Sequence, residues 1–222
     1  MAYLGQHYRT YALDFWGFGE SGKKLSSYEI QDFVNMVDEF MDQLGIVQAP
    51  LVGHSMGGTV SLSVAIQHPE RVTKVTVIGS PVSGSSLALL LKMAGYRPIA
   101  VLVHNMMWAL KLGIKLSTPL ITRDSRWYSM IAQDLDRTTV ESFLISISSL
   151  HKTNLTKEIK KIKVPVMGMY GNKDIIVDPG QWKLLKHGIP HARIARFAKA
   201  GHFPMLDQPR IFQKTLREFL DD

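Results

Sequence analysis

The chain has 222 residues, 45% of them apolar, and contains no cysteine. This length and composition fit one compact domain with a sizeable core, and the lack of cysteine excludes disulfides and thiolate metal sites. The net charge of +7 is diffuse, and no basic-aromatic arrangement indicates nucleic-acid binding. The chain does not open with a basic segment followed by an apolar one, so we expect a cytoplasmic protein.

The first segment with a clear helical period follows residues 26–29. Ser26 and Glu29 have the spacing of a capping box, which predicts that a helix begins there. Apolar side chains then recur at helical spacing: Ile30, Phe33, Val34, Val37, Phe40, Met41 and Leu44. Gly45 fits the position after the helix, where a left-handed backbone is common.

Strands and helices alternate on both sides of a long central region. We expect strands at 49–53, 72–78, 164–170 and 192–197, and helices at 56–67 and from Pro209 onwards. Such alternation is typical of a mostly parallel sheet covered by helices on both faces. The pattern therefore predicts an α/β fold.

Residues 82–155 differ from the regions on either side. No strand pattern is visible there, and glycines and prolines divide helical stretches rich in Leu, Met and Ile. A transmembrane helix is the rival interpretation. However, the longest uncharged run, at 98–110, has thirteen residues, whereas spanning a bilayer needs about 20. We expect helices that cover the domain.

Residues 53–57 carry the most informative motif, Gly-His-Ser-Met-Gly. The motif lies between a predicted strand and a predicted helix, which is the context of a nucleophile elbow. This turn projects the Ser55 side chain from the end of the sheet, while small flanking glycines let strand and helix approach closely. His54, inside the motif, is expected to pack or hydrogen-bond nearby. A Gly/Ser-rich loop without chemistry is the alternative.

A serine nucleophile needs a base and a group that orients the base. Asp174, just after a predicted strand, is the candidate acid, and Asp178 is the runner-up, although a cap before Pro179 suits Asp178 better. His202 follows the last predicted strand and is the candidate base. Asp207 is expected to cap the last helix.

With these segments the chain resembles the α/β-hydrolase superfamily, in its esterase and lipase-like branch. The matching segments are 14–21 (Asp-Phe-Trp-Gly-Phe-Gly-Glu-Ser), 53–58 (Gly-His-Ser-Met-Gly-Gly), 171–174 (Gly-Asn-Lys-Asp) and 201–204 (Gly-His-Phe-Pro). The resemblance implies an α/β-hydrolase fold with a helical cap after the sixth family strand. It divides the chain into core residues 1–80, a cap or lid at 81–155 and core residues 156–222.

The resemblance also implies the chemistry. A serine at the elbow indicates a carboxylesterase-like serine hydrolase with Ser55 as nucleophile, Asp174 as acid, His202 as base and the Met56 N–H as an oxyanion donor. No cofactor or metal is implied. The apolar cap favours a small-molecule ester with an apolar acyl or alkyl group. The alternatives are a C–C bond hydrolase, a cofactor-free haloperoxidase-like enzyme, and a non-catalytic or decayed ligand-binding member.

The resemblance further implies that the chain begins late, near the fourth family strand at residues 9–13. The earlier strands and the His-Gly loop that gives the second oxyanion donor are then missing, and the fourth strand lacks its neighbour unless it pairs directly with the strand at 49–53. We expect either a fragment, or a start at an internal methionine, or a naturally shortened protein. We expect weak or no activity, because losing one oxyanion donor lowers the rate by about 10²–10³.

The densest positive cluster precedes a predicted strand and comprises Lys157, Lys160, Lys161 and Lys163. A solvated face is the simpler interpretation. Weak attraction to an anionic membrane surface or an acidic carrier protein is the alternative, without stable membrane insertion. The sequence leaves the oligomeric state open.

Overall fold

A computed structural model of the chain describes residues 3–23, 27–88, 112, 115–116 and 126–222. These residues include four strands: β1 (Ala49–His54), β2 (Val72–Ile78), β3 (Val166–Gly171) and β4 (Arg193–Phe197). The described α-helices are α1 (Ile30–Gln43), α2 (Met56–Gln67), α3 (Arg126–Arg137), α4 (Val140–Lys152), α5 (Gln181–Gly188), α6 (Pro204–Asp207) and α7 (Pro209–Asp221). These bounds agree with the predicted strands and helices to within a few residues.

The four strands form one parallel sheet in the order β1-β2-β3-β4. Every residue of β3 is buried, as expected for a central parallel strand covered on both faces. The first four residues of β1 alternate between partly buried and exposed, and Val52 is 42% exposed. Among the described residues β1 is therefore an edge strand, while its carboxyl end lies beside the end of β2.

Residues 9–13 do not form the predicted strand. They have no regular secondary structure, and no ladder joins them to β1 or to another described strand. The expectation of a strand there is wrong for the described part of the chain, and the direct pairing with residues 49–53 that would have given it a neighbour is not found. A strand needs a neighbouring backbone to pair with, and the family resemblance of a segment does not supply one.

Helix α1 begins three residues later than the capping-box pattern predicted. Its capping box joins Glu29 and Asp32, and the backbone N–H of Glu29 donates to Asp32 Oδ2 at 3.0 Å. At the other end, Gly45 has φ +64°, and the amide of Ile46 donates to Met41 O at 2.8 Å. This left-handed ending confirms the role expected of Gly45.

Much of the predicted cap, including the apolar run at 98–110, lies outside the described residues. In the described part, α4 packs against the core through hydrogen bonds from Ser142 Oγ to Gly17 O at 2.9 Å and from Ile30 N to Ser149 Oγ at 3.0 Å. The domain boundaries at 80/81 and 155/156 stay predictions. No helix within the described ranges is long and apolar enough to cross a membrane.

Candidate active site

Ser55 occupies a strained turn between β1 and α2. Its backbone has φ +52° and ψ −121°, which a non-glycine residue rarely adopts. Its amide donates to Ile78 O, at the end of β2, at 2.8 Å. A Cβ on Gly53 would collide with the backbone of Gly57, and one on Gly58 would collide with the Ser80 side chain. Gly53 and Gly58 are needed because strand and helix meet there without room for a side chain. The close approach expected at Gly57 is not found, since a Cβ there would meet nothing within 4 Å.

The N-terminus of α2 begins directly after Ser55. Ser55 O accepts hydrogen bonds from the amides of Gly58 and Thr59 at 3.0 and 3.4 Å. Among the backbone hydrogen bonds of the described residues, none uses the amide of Met56, the first residue of the helix. A free N–H at the positive end of a helix can bind a developing negative charge beside Ser55.

Asp174 lies in the turn after β3 and is 8% exposed. Its Oδ1 accepts the backbone N–H groups of Ile176 and Val177 at 2.9 and 3.0 Å, which fixes the carboxylate. Asp178, the other candidate acid, is exposed, and its Oδ1 accepts the amide of Gly180 at 2.8 Å. Asp178 does not cap helix α5, because Gly180 precedes this helix without a side-chain cap, and the bond between Asp178 and Gly180 is that of an Asx turn. Asp174 is the one of the two carboxylates that contacts His202.

His202 joins Asp174 in a buried pair. His202 is 4% exposed, and its Nδ1 donates to Asp174 Oδ2 at 2.7 Å. Because the carboxylate can only accept, the proton lies on Nδ1, and Nε2 is free to accept another proton. Gly79, with φ +53°, follows β2, and a Cβ there would lie 3.1 Å from His202 Nδ1. Glycine at this position lets the imidazole lie close to the sheet.

The sheet brings Ser55 and the His202–Asp174 pair to the same edge, since all three follow the carboxyl ends of parallel strands. The amide of Ser55 is hydrogen-bonded to Ile78 O, and Gly79, which follows Ile78, lies against the His202 ring. The hydrogen bonds of the described residues include none from Ser55 Oγ to His202 Nε2. In enzymes without substrate, catalytic hydrogen bonds are often long and tighten only when the complex forms.

Two further residues contact the loop that carries His202, and His54 packs and hydrogen-bonds nearby as expected. Asp207 Oδ2 accepts the amide of Gly201 at 2.8 Å, and helix α7 is preceded by Gln208, so the expectation that Asp207 caps this helix is wrong. His54 Nε2 lies 2.9 Å from His202 O. Burial, with His202 as a second cause, lowers the pKa of His54 to about 3.

No group of three or more His, Asp or Glu side chains able to hold a metal ion occurs among the residues that the structure describes. The polar groups at this edge of the sheet include a serine, a histidine, a carboxylate and a helix N-terminus. Together they can move a proton and stabilise an anion.

Comparison with known proteins agrees with this geometry. A family model described as the alpha/beta hydrolase fold matches residues 1–99. The crystal structure of the enol-lactonase from Burkholderia xenovorans superposes with a TM-score of 0.81 at 25% identity, covering 100% of this chain and 84% of that one. The chain has the α/β-hydrolase fold. The predicted fold is therefore confirmed.

Two curated relatives match nearly the whole length of this chain. A 2-hydroxy-6-oxononadienedioate/2-hydroxy-6-oxononatrienedioate hydrolase of Paraburkholderia phymatum is 25% identical, covering 99% of this chain and 78% of its own. The 3-oxoadipate enol-lactonase 2 of Acinetobacter baylyi is 26% identical, covering 97% of this chain and 80% of its own. The relatives are hydrolases, and their named substrates differ.

Proposed function

We propose that this α/β-hydrolase is a serine hydrolase that cleaves carboxylic esters through an acyl-enzyme. The buried hydrogen bond of 2.7 Å between His202 Nδ1 and Asp174 Oδ2, at the sheet edge that also holds the strained Ser55, carries this proposal. Such a pair, with a serine beside it, is the arrangement that activates a hydroxyl for acyl transfer.

In the proposed reaction, Ser55 Oγ attacks the ester carbonyl while His202 Nε2 takes the Ser55 proton. Asp174 keeps the other imidazole proton on Nδ1 and stabilises the positive charge that forms on the ring. The tetrahedral intermediate then breaks its bond to the alcohol, which leaves with the proton from Nε2. Water repeats the sequence on the acyl-enzyme and releases the acid.

The carbonyl oxygen becomes negative in the tetrahedral intermediate, and the Met56 N–H is proposed as a donor to it. The described residues give no clear second donor. Since one oxyanion donor is worth about 10²–10³ in rate, we expect this chain to turn over esters slowly.

The substrate class has two candidates within the same mechanism. Ester cleavage is favoured by the similarity to enol-lactonases, whose named substrates are cyclic esters. Cleavage of a carbon–carbon bond next to a ketone is the second candidate, because a relative of equal coverage is named for a 2-hydroxy-6-oxo acid. An apolar acyl or alkyl group is the preferred ester substituent.

A substrate panel tests the proposed function. Purified protein is assayed with 4-nitrophenyl esters of increasing acyl length, an enol-lactone and a 2-hydroxy-6-oxo dienoic acid, beside a Ser55→Ala control. We expect slow ester or lactone hydrolysis that Ser55→Ala abolishes. Turnover unchanged in that variant refutes the assignment, whereas ligand binding without any turnover favours a non-catalytic member of the superfamily.

A further inference from the structure

The base lies far from its own strand in the sheet. His202 follows β4, whereas Ser55 follows β1, and these strands form opposite edges of the four-stranded order. With neighbouring strands about 4.8 Å apart, the loop after β4 must extend about 14 Å across the sheet to approach Ser55. A loop of this length holds a side chain accurately only if it is attached along its path.

The first attachment is at the end of β3. The amide of Lys173 donates to Ala200 O at 3.0 Å, and the amide of Asn172 donates to Phe197 O at 3.0 Å. A Cβ on Gly171 would collide with Gly201 O, so the loop lies directly on this strand end. The Asp174–His202 pair extends the attachment to the imidazole.

The second attachment is at the end of β2, where Gly79 lies beneath His202. A Cβ at Gly79 would be 3.3 Å from both His202 Cε1 and His202 O. This contact supports the loop from below but donates no hydrogen bond to it. On its own it does not stop the loop from moving away from β1.

The third attachment comes from β1 itself. His54 Nε2 and His202 O are 2.9 Å apart, and because a carbonyl only accepts, Nε2 is the donor. The His54 ring also packs on His202, with centroids 4.6 Å apart, and on Phe203, with centroids 4.9 Å apart. His54 directly precedes Ser55, so one strand end carries the nucleophile and holds the backbone of the base.

From these contacts we infer that His54 is a positioning residue, which fastens the His202 loop to the nucleophile strand through its Nε2–H and so sets the approach of His202 to Ser55. The role depends on the proposed function of His202 as the base. The lowered pKa of His54 keeps the ring neutral at ordinary pH, so the single Nε2–H donor persists. A histidine that only fills space would need the ring but not the donor.

Two substitutions separate the donor from the ring. His54→Phe keeps an aromatic ring against His202 and Phe203 but removes the N–H. His54→Gln loses the ring but carries an amide N–H of similar reach. Val34→Ala, in the buried face of α1, is the matched control for a loss of stability away from the site.

The first readout is the rate at which a fluorophosphonate labels Ser55 per folded molecule, together with kcat and KM for an ester. A misplacement of about 1 Å lowers a rate about 10²-fold. We therefore expect His54→Phe to slow labelling and lower kcat by about 10- to 100-fold with little change in KM. We expect His54→Gln to remain within about threefold of the parent, and Val34→Ala to lower the Tm without slowing labelling.

The second readout does not require activity. The His202 Nδ1–H proton, bonded to Asp174, is followed by NMR in the parent and in both variants. We expect this resonance in the parent and in His54→Gln, and faster solvent exchange in His54→Phe. Failure of the parent to label refutes the proposed function, while the NMR comparison still tests the attachment. Equal exchange and equal labelling in His54→Phe and the parent overturn the inference.

Discussion

Replacing Asp174 by Asn reverses one hydrogen bond in the buried pair. The Asn oxygen can keep the bonds from Ile176 and Val177 that Oδ1 now accepts at 2.9 and 3.0 Å. Its NH2 group then faces His202 Nδ1, where Oδ2 now accepts at 2.7 Å. A donor at that place stabilises the tautomer with its proton on Nε2, so Nε2 can no longer take the Ser55 proton.

We expect Asp174→Asn to lower the catalytic rate strongly and the free energy of unfolding only slightly. A wrong tautomer lowers kcat by about 10⁴ in an enzyme of this chemistry. At 1.36 kcal/mol for each tenfold, that is about 5.4 kcal/mol of transition-state stabilisation. The free energy of unfolding changes by about 1 kcal/mol, because two of the three hydrogen bonds remain.

The assay compares kcat and the rate of fluorophosphonate labelling in the parent, Asp174→Asn and Asp178→Asn. Asp178 is the matched control, since it is exposed and its Oδ1 bonds only the amide of Gly180 among its described contacts. We expect Asp178→Asn to keep the parent's rates. A loss of less than tenfold in Asp174→Asn, with the fold intact, refutes the tautomer argument.

Three further predictions concern the same edge of the sheet. The pKa of His54 is about 3 in the folded chain and about 6.5 when exposed. Between pH 3 and pH 6.5, His54 therefore takes up a proton when the chain unfolds. Stability is therefore lost as pH falls from 6.5, by about 2–5 kcal/mol given the partial solvent access of the side chain. Urea unfolding at pH 7 and pH 4 should show a smaller loss in His54→Gln. Ser55→Gly should relieve the strained φ of +52°. We expect the free energy of unfolding, measured with urea, to rise by about 1 kcal/mol, and the ester assay to show no turnover. An unchanged or lower stability contradicts the strain. Gly79→Ala should lower kcat by about 10²-fold in the same assay, because the new Cβ displaces the His202 ring. A kcat equal to that of the parent contradicts this prediction.

The sequence predicts those parts of the fold that depend on local pattern. β2 and its neighbours were recognisable from apolar runs, and the elbow at Ser55 from glycine spacing between a strand and a helix. Asp174 and His202 could be chosen because each follows a strand in the expected chain order. In each case, the sequence pattern that supports the prediction lies within a few residues of the side chain concerned.

Features that depend on distant contacts were not predictable. His54 and His202 are 148 residues apart, and no local pattern links a histidine in an elbow to a particular carbonyl. Asp207 looked like a helix cap from its place before Pro209, yet its carboxylate reaches back to Gly201. Residues 9–13 were expected to form a strand from the family resemblance, but a strand also depends on a neighbouring backbone with which it can pair.

Fluorophosphonate labelling of the purified chain, read by intact mass beside Ser55→Ala, tests the central claim most directly. If Ser55, His202 and Asp174 act together, one adduct forms per chain, maps to Ser55 and is absent in Ser55→Ala. Folded protein that stays unlabelled, or that labels equally in Ser55→Ala, contradicts the claim that these residues form an activated nucleophile.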